Sequence, residues 1–207
     1  MMKIISFFKN TTAVFIAVVI LTSCQPVLQL FTGVKSNIEI YQTNEERQAY
    51  YAPLISAVDE ANVKIYTLKD KELDSIIGTI NTLAKSMPLI YLKNIESKDL
   101  YRLSCYEDIT YNIENIMNET YKRYISKDSI EQQYLENKKI IEENFEVANS
   151  IKPRIEGDYK KWDILYVGGS FLGKKLRKRS LPAFKIEGLS NVSIVDLSVN
   201  KNATSEQ

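Results

Sequence analysis

Residues 87–92 carry the sequence Met87-Pro88-Leu89-Ile90-Tyr91-Leu92, which decides the predicted fold. Pro88 interrupts a helical pattern, and the four apolar residues that follow it are typical of a buried strand. A polar turn is predicted at 94–98, and 101–105 then predicts a second strand. The centre of the chain is therefore expected to form a buried strand that turns back into another.

Periodicity and capping residues predict the elements on either side of this segment. Pro53 is expected to kink the first of the helices or to restart it. The predicted elements are a strand at 38–41, a helix at 44–62 with Asn44 as its N-cap, a strand at 63–68, an amphipathic helix at 73–84 and a helix at 108–125 capped by Asp108. The order over 38–125 is therefore β-α-β-α-β-β-α.

This order, with Met87-Pro88 leading into a central strand, resembles the thioredoxin fold. The resemblance implies a three-layer α/β sandwich over 38–125, with Pro88 as a cis-proline; the alternative for Pro88 is a simple helix stop. The family's Cys-x-x-Cys pair is replaced here by Thr43-Asn44-Glu45-Glu46. The unit is therefore a degenerate one, and no redox residue of the family carries over.

The resemblance also implies how this unit packs. Strands 63–68 and 89–92 are expected to be neighbours in one sheet, with helix 73–84 lying against it. The contacts are expected between Leu73, Ile76, Ile80 and Leu83 of the helix and Ile65 and Ile90 of the sheet.

An α+β extension is predicted over 126–199. It begins with a long polar helix that starts at Ser126 or Asp128 and ends at Pro153. Three strands are then expected, at 162–167, 183–186 and 192–197, with a turn at 188–191. Residues 200–207 form a polar tail that is expected to be disordered.

The first 24 residues predict export rather than a membrane span. Lys3 and Lys9 flank a short basic start, 11–21 is almost wholly apolar, and Leu21-Thr22-Ser23-Cys24 follows. This ending resembles the lipobox of bacterial lipoproteins. The resemblance implies that 1–23 is a cleaved signal peptide, that Cys24 carries lipid such as palmitate, and that 24–37 is a tether. Gln25 after the cysteine is compatible with sorting to the outer membrane, facing the periplasm.

Two short segments add to this resemblance. Phe31-Thr32-Gly33-Val34-Lys35 and Phe171-Leu172-Gly173-Lys174-Lys175 are similar to segments of a loose group of lipoproteins from Bacteroidetes.

Composition argues against several classes of function. The full chain carries 27 basic and 26 acidic residues, so no concentrated positive field favours nucleic acid. Histidine is absent, which removes the commonest general base and metal ligand. Cys105 is the only thiol besides Cys24, so no disulfide is expected within the mature chain. We therefore expect that the protein is not an enzyme, that it holds no cofactor and that it has no nucleic-acid partner.

The strongest candidate for an interaction site is a basic run, Lys174, Lys175, Arg177, Lys178 and Arg179. It is a candidate patch for anionic lipid or glycan, or else a solvated edge. Gly168 to Lys175 is expected to form a turn or bulge, because it lacks a complete phosphate-loop pattern. Glu142 and Glu146 are expected to share a solvated helix face.

The expected function is non-catalytic binding or scaffolding by a lipid-anchored envelope protein, with an envelope protein or a glycan as partner. Two alternatives remain open. One is a thiol-redox protein that uses Cys105 alone, and the other is an immunity or inhibitor lipoprotein.

Overall fold

The computed structural model describes residues 41–58, 61–69, 83, 88–104, 107–152 and 161–200. The predicted signal peptide, Cys24, the tether, Cys105 and helix 73–84 apart from Leu83 lie outside the described residues. The elements, in chain order, are β1 (Tyr41–Gln42), α1 (Asn44–Ile55), β2 (Asn62–Leu68), β3 (Leu89–Asn94), β4 (Leu100–Ser104), α2 (Ile109–Met117), α3 (Lys127–Asn144), β5 (Phe145–Ile151), β6 (Trp162–Gly168), α4 (Lys174–Ser180), a 3₁₀ helix (Leu181–Lys185), β7 (Leu189–Asp196) and β8 (Val199–Asn200).

Six of these strands form one mixed sheet in the order β4-β3-β6-β7-β2-β5. The central strands β6, β7 and β2 are parallel, whereas β3, β4 and β5 each run antiparallel to a neighbour. The short strands β1 and β8 form a separate parallel pair. The α/β class predicted from the sequence is confirmed.

The strand order corrects one prediction. The strands expected to be neighbours, 63–68 and 89–92, lie in one sheet, but β7 and β6 separate them. The physical reason is burial, because the carboxyl-terminal halves of β6 and β7 are buried on both faces, which suits the middle of the sheet. Strands β2, β3 and β4 of the predicted first unit therefore share one sheet with β5, β6 and β7 of the predicted extension.

Helices cover both faces of this sheet. On one face, Tyr166 of β6 makes edge contacts with Tyr51 of α1 and with Phe184 of the 3₁₀ helix. On the other face, Tyr91 of β3 contacts Tyr134 of α3, with ring centroids 5.3 Å apart. We call these the α1 face and the α3 face.

Local chemistry sets where the helices begin. Thr43 and Glu46 form a reciprocal capping box at α1, so Thr43 is the N-cap instead of Asn44. Asp108 caps α2 as predicted, and Ser126 caps α3. Each side chain accepts a backbone N–H that the first helical turn leaves without a partner.

Several predicted ends were wrong. The first helix stops at Ile55 and α2 stops at Met117, both earlier than expected. The long helix ends at Asn144, because the chain passes directly into β5 and pairs with β2. Residues 181–185 form a 3₁₀ helix with proline in its first turn, where a strand had been predicted.

Candidate functional site

The carboxyl ends of β6 and β7 meet around a buried carboxylate, Asp196, which is 0 % exposed. Arg47 of α1 places its Nε 3.1 Å from Asp196 Oδ2, and the Tyr51 hydroxyl donates to Oδ1 at 3.1 Å. The backbone N–H of Ser170 donates to Oδ1 at 2.8 Å, and the Ser198 hydroxyl donates to Oδ2 at 2.6 Å. Asp196 therefore joins α1, the loop after β6 and the chain after β7.

This network binds parts of the chain to one another. The Ser170 amide follows Gly168-Gly169, where a phosphate loop would present its amides to an anion, yet it donates to Asp196. Leu172 N donates to Gly169 O at 3.0 Å, which confirms the turn predicted here. Burial raises the pKa of Tyr51 well above its ordinary value, and the charge of Asp196 raises it further. Tyr51 therefore stays protonated and donates.

The predicted basic run lies in α4, and the structure separates its members. Arg177 is turned inward, where its Nη1 donates to the Tyr50 carbonyl at 2.9 Å and to the Ala49 carbonyl at 3.3 Å. Pro53 has no N–H to offer the carbonyl of Ala49 four residues earlier, so Arg177 supplies the donor that helix α1 lacks. Its guanidinium also lies 5.2 Å from the centroid of the Tyr50 ring. Arg177 is a structural residue and not part of a surface patch.

The other four cations of the run are exposed, and we call Lys174, Lys175, Lys178 and Arg179 the basic face. Lys175, Lys178 and Arg179 are three or four residues apart, so they lie on one side of α4. They line an open cavity of about 550 Å³ together with Glu107, Asp108, Ile109, Thr110 and Pro182. The basic run therefore faces a real concavity between α2 and α4.

A second concavity lies on the α3 face, and we call it the groove. It has a volume of about 290 Å³ and lies between α3 and the amino-terminal halves of the parallel strands. Its wall includes three tyrosines and, among its polar side chains, three lysines, two carboxylates and two asparagines. These are Tyr66, Tyr91, Tyr134, Lys64, Lys93, Lys138, Glu142, Asp163, Asn62 and Asn191.

The groove is held in shape by hydrogen bonds from its own walls. Asn137 Nδ2 donates to the Tyr91 hydroxyl at 3.0 Å, and Asn191 Nδ2 donates to Asp163 Oδ1 at 2.8 Å. Burial raises the pKa of Tyr91 and of Tyr134. Both tyrosines are therefore neutral at physiological pH, and they offer ring surface and hydroxyl groups instead of charge.

The remaining predicted residues have these positions. Pro88 is buried immediately before β3. Glu142 and Glu146 do not share a helix face, because Glu142 belongs to α3 and Glu146 belongs to β5. Cys24 and Cys105 lie outside the described residues. Within the described ranges, no three His, Cys, Asp or Glu side chains are grouped so as to hold a metal ion.

Sequence reasoning missed the network of Asp196. The available signal was an acidic residue inside the apolar run Val192 to Leu197, since a buried carboxylate needs a cationic partner. Its partner Arg47 is 149 positions earlier, and no local pattern connects the two.

Comparison with known proteins provides no relative, because no family model, curated protein or solved structure matches the chain. Among the described residues, no helix is both long enough and apolar enough to cross a membrane.

Proposed function

We propose that the protein is a lipid-anchored envelope protein that acts by binding, and that the groove is its binding site. The proposal has two parts. Lipid on Cys24 holds the chain on the membrane, in the outer membrane and facing the periplasm. The folded domain then recognises a partner without chemical conversion of it.

The anchor is supported by residues 1–24, whose basic start, apolar run and terminal Leu-Thr-Ser-Cys resemble a lipobox. Several acyl chains on one cysteine would hold the chain firmly, since each buried CH₂ contributes about 0.8 kcal/mol. A thioredoxin-like arrangement is not part of this proposal, because β6 and β7 separate β2 from β3, and β1 pairs with β8 outside the six-stranded sheet.

The composition of the groove is the main support for the proposed binding role. Tyrosine ring faces lie beside the carboxylate of Asp163 and the amide of Asn191. An apolar ligand would leave these polar groups without water or a partner, which costs free energy. A ligand with many hydroxyl groups would pack on the rings and exchange hydrogen bonds with the polar wall. The groove therefore favours a glycan.

The buried network of Asp196 supports the part of the proposal that the domain acts without chemical conversion of its partner. Its carboxylate accepts from groups on three segments, and Asp196, Ser170 and Ser198 are all at most 8 % exposed. The hydrogen bonds of these buried residues join segments of the chain to one another at the carboxyl edge of the sheet.

The anchor is tested by Cys24→Ser with metabolic palmitate labelling. The wild-type protein should be labelled and should partition into detergent, whereas the variant should do neither. Unchanged labelling of Cys24→Ser would show that lipid is attached elsewhere.

The groove is tested by glycan-array binding of two charge-matched variants. Lys64→Glu with Lys93→Glu reverses two charges in the groove wall, and Lys122→Glu with Lys139→Glu reverses two exposed charges outside it. Glycan binding should be lost in the first variant and kept in the second, with equal thermal stability. Equal binding by both variants, or no binding by the wild type, would contradict the proposal.

A further inference from the structure

Polar residues on the floor of the groove form a row across four neighbouring strands. Lys93 of β3 is paired in register with Asp163 of β6. Asp163 is paired in turn with Asn191 of β7, and Asn191 is paired with Asn62 of β2. Residues directly opposite one another on neighbouring strands point to the same face of a sheet, and all four of these residues line the groove. The row therefore crosses the strands, and we call it the polar row.

The groove is elongated along this row. Neighbouring strands lie roughly 4.8 Å apart, so a row over four strands is roughly 14 Å long. Helix α3 crosses the sheet in the same direction, because Tyr134 packs on Tyr91 of β3 and the helix ends where β5 begins, beside β2. Its residues from Tyr134 to Glu142 line the groove over a rise of roughly 12 Å. Floor and wall therefore give the groove the same length.

Polar atoms along the row remain available to a ligand. Asn191 is exposed, and the other three residues of the row are half-buried. Asp163 Oδ1 accepts from the backbone N–H and from Nδ2 of Asn191, at 3.1 and 2.8 Å. Asn191 Nδ2 also donates to Ser190 Oγ at 3.2 Å, so Oδ1 is the free end of this amide.

The remaining atoms of the row make no such bonds. In the part of the chain that the structure describes, no group donates to Asp163 Oδ2, and no hydrogen bond or ion pair engages the side chains of Lys93 and Asn62. The middle of the row therefore offers acceptors, and its two ends offer an ammonium and an amide.

Recognition in the groove does not require a charged ligand. Among the described residues that line it, three lysines face two carboxylates. One of these lysines is paired within the wall, where Lys138 Nζ lies 3.8 Å from Glu142 Oε1. Hydrogen bonding along the polar row is therefore the feature from which the ligand can be inferred.

We infer that the groove binds a linear β-1,4-linked glycan as an extended chain, with one sugar unit over each of the strands β3, β6, β7 and β2. This inference rests on the proposed function and adds the length and the shape of the glycan to it. The spacing of strands is close to the advance of one pyranose unit along an extended chain, so successive units meet successive positions of the row. Sugar hydroxyl groups donate to Asp163 and Asn191 and accept from Lys93 and Asn62.

The test measures affinity against chain length, by calorimetric titration of the purified full-length protein. The probes are cello-oligosaccharides and chito-oligosaccharides, both β-1,4-linked, from the monosaccharide to the hexasaccharide. In at least one series, the Kd should fall roughly three- to tenfold for each added unit up to the tetrasaccharide and then stay constant. Malto-oligosaccharides are α-1,4-linked and coil, so at equal length they should bind at least roughly tenfold more weakly.

Two substitutions in the row test its role directly. Asp163→Asn removes the free acceptor and keeps an oxygen for Asn191, and Asp128→Asn makes the same change on α3 outside the groove. Affinity for the tetrasaccharide should fall at least roughly fivefold in the first variant and stay unchanged in the second, with both folded by thermal melting. Asn62→Ala, at the end of the row, should weaken the tetrasaccharide and leave the disaccharide unchanged, because a short chain can occupy the other positions.

The outcomes separate this inference from the proposed function. Equal affinity for monosaccharide and tetrasaccharide in a series that binds would overturn the inference and leave a glycan-binding groove in place. So would a lack of affinity for both β-1,4-linked series when another glycan binds on the array, or equal tetrasaccharide affinity in wild type, Asp163→Asn and Asn62→Ala. If no glycan on the array binds to the wild type, the proposed function itself fails and the inference fails with it.

Discussion

Replacing Asp196 by Ala should destabilise the domain more than any other single change at the carboxyl edge of the sheet. The side chain of Arg47 is 9 % exposed and that of Asp196 is 0 % exposed, so the substitution leaves a buried cation without its partner. Loss of one member of a buried ion pair costs about 3–5 kcal/mol. The Ser170 N–H and the Tyr51 hydroxyl lose their acceptor as well. We therefore expect a loss at the upper end of that range.

Such a loss is large against the total stability of a domain, which is typically about 5–15 kcal/mol. Urea unfolding measures it, with fluorescence of the single tryptophan as the signal. Trp162 is 5 % exposed in β6 and so reports on the opening of the sheet. Asp128→Ala, an exposed acidic residue in the first turn of α3, is the matched control and should cost less than about 1 kcal/mol.

A double-mutant cycle then isolates the ion pair. Arg47→Met alone leaves the buried carboxylate without its cationic partner, so it should also lower the free energy of unfolding. Arg47→Met combined with Asp196→Asn should lower it by less than the sum of the two single changes. A coupling energy of about 1–3 kcal/mol is expected. A loss below about 1 kcal/mol for Asp196→Ala, or strict additivity in the cycle, would refute the conclusion that this network holds the edge together.

Three further predictions concern other sites. Arg177→Ala should lower the free energy of unfolding by about 1–3 kcal/mol, because the Ala49 carbonyl loses its donor, while exposed Lys178→Ala should change it by less than about 0.5 kcal/mol in the same urea assay. Hydrogen bonds from neighbouring side chains lower the pKa of Asp99 from its ordinary value of 3.8, and the largest contribution comes from Lys127 of α3. Asp99 therefore contributes stability above pH 3.8 that is lost as pH falls through its lower folded pKa; Asp99→Asn should cost about 0.2–1 kcal/mol at pH 7 and nothing in strong acid. The Cys24→Ser protein should not reduce insulin, because a chain with Cys105 as its sole remaining thiol cannot cycle a dithiol; turnover that Cys105→Ser abolishes would support the thiol-redox alternative.

The elements that were predictable are those with local causes. Strand β3 follows a proline and begins with four apolar residues. The turn after it is held by Asn94, whose Oδ1 accepts from the N–H groups of Glu96 and Ser97. Asp108 caps α2 through a hydrogen bond three residues along the chain. Each of these interactions lies within a few residues, so the sequence pattern contains both partners.

Strand order had no such local cause. Leu89 pairs with Val167, 78 positions later, and any apolar strand would have satisfied the same local pattern. The helix predicted as far as Pro153 illustrates the same limit. Residues 145–151 leave the helix because β2 offers them a partner, and that partner lies about 80 positions earlier in the chain.

For the basic run, the sequence could predict a charged surface but not which of its five cations are exposed. Five cations in six residues are indistinguishable by sequence, yet Pro53 changes the role of one of them. It leaves a helical carbonyl without a donor at the point where α4 crosses α1, and Arg177 occupies that point. The exposed cations of the run are therefore four and not five.

The groove follows from a change of polarity along single strands. On the α3 face, β7 presents Asn191 and Ser193 before the buried Val195, and β6 presents Asp163 before the buried Leu165. The amino-terminal half of this face is thus polar and the carboxyl-terminal half is apolar. A sheet face that was covered along its whole length would gain nothing from the polar half, because buried polar groups cost free energy unless they are paired. The change of polarity therefore explains why this half of the face is left open as the groove, and it is consistent with the polar ligand that we propose for it.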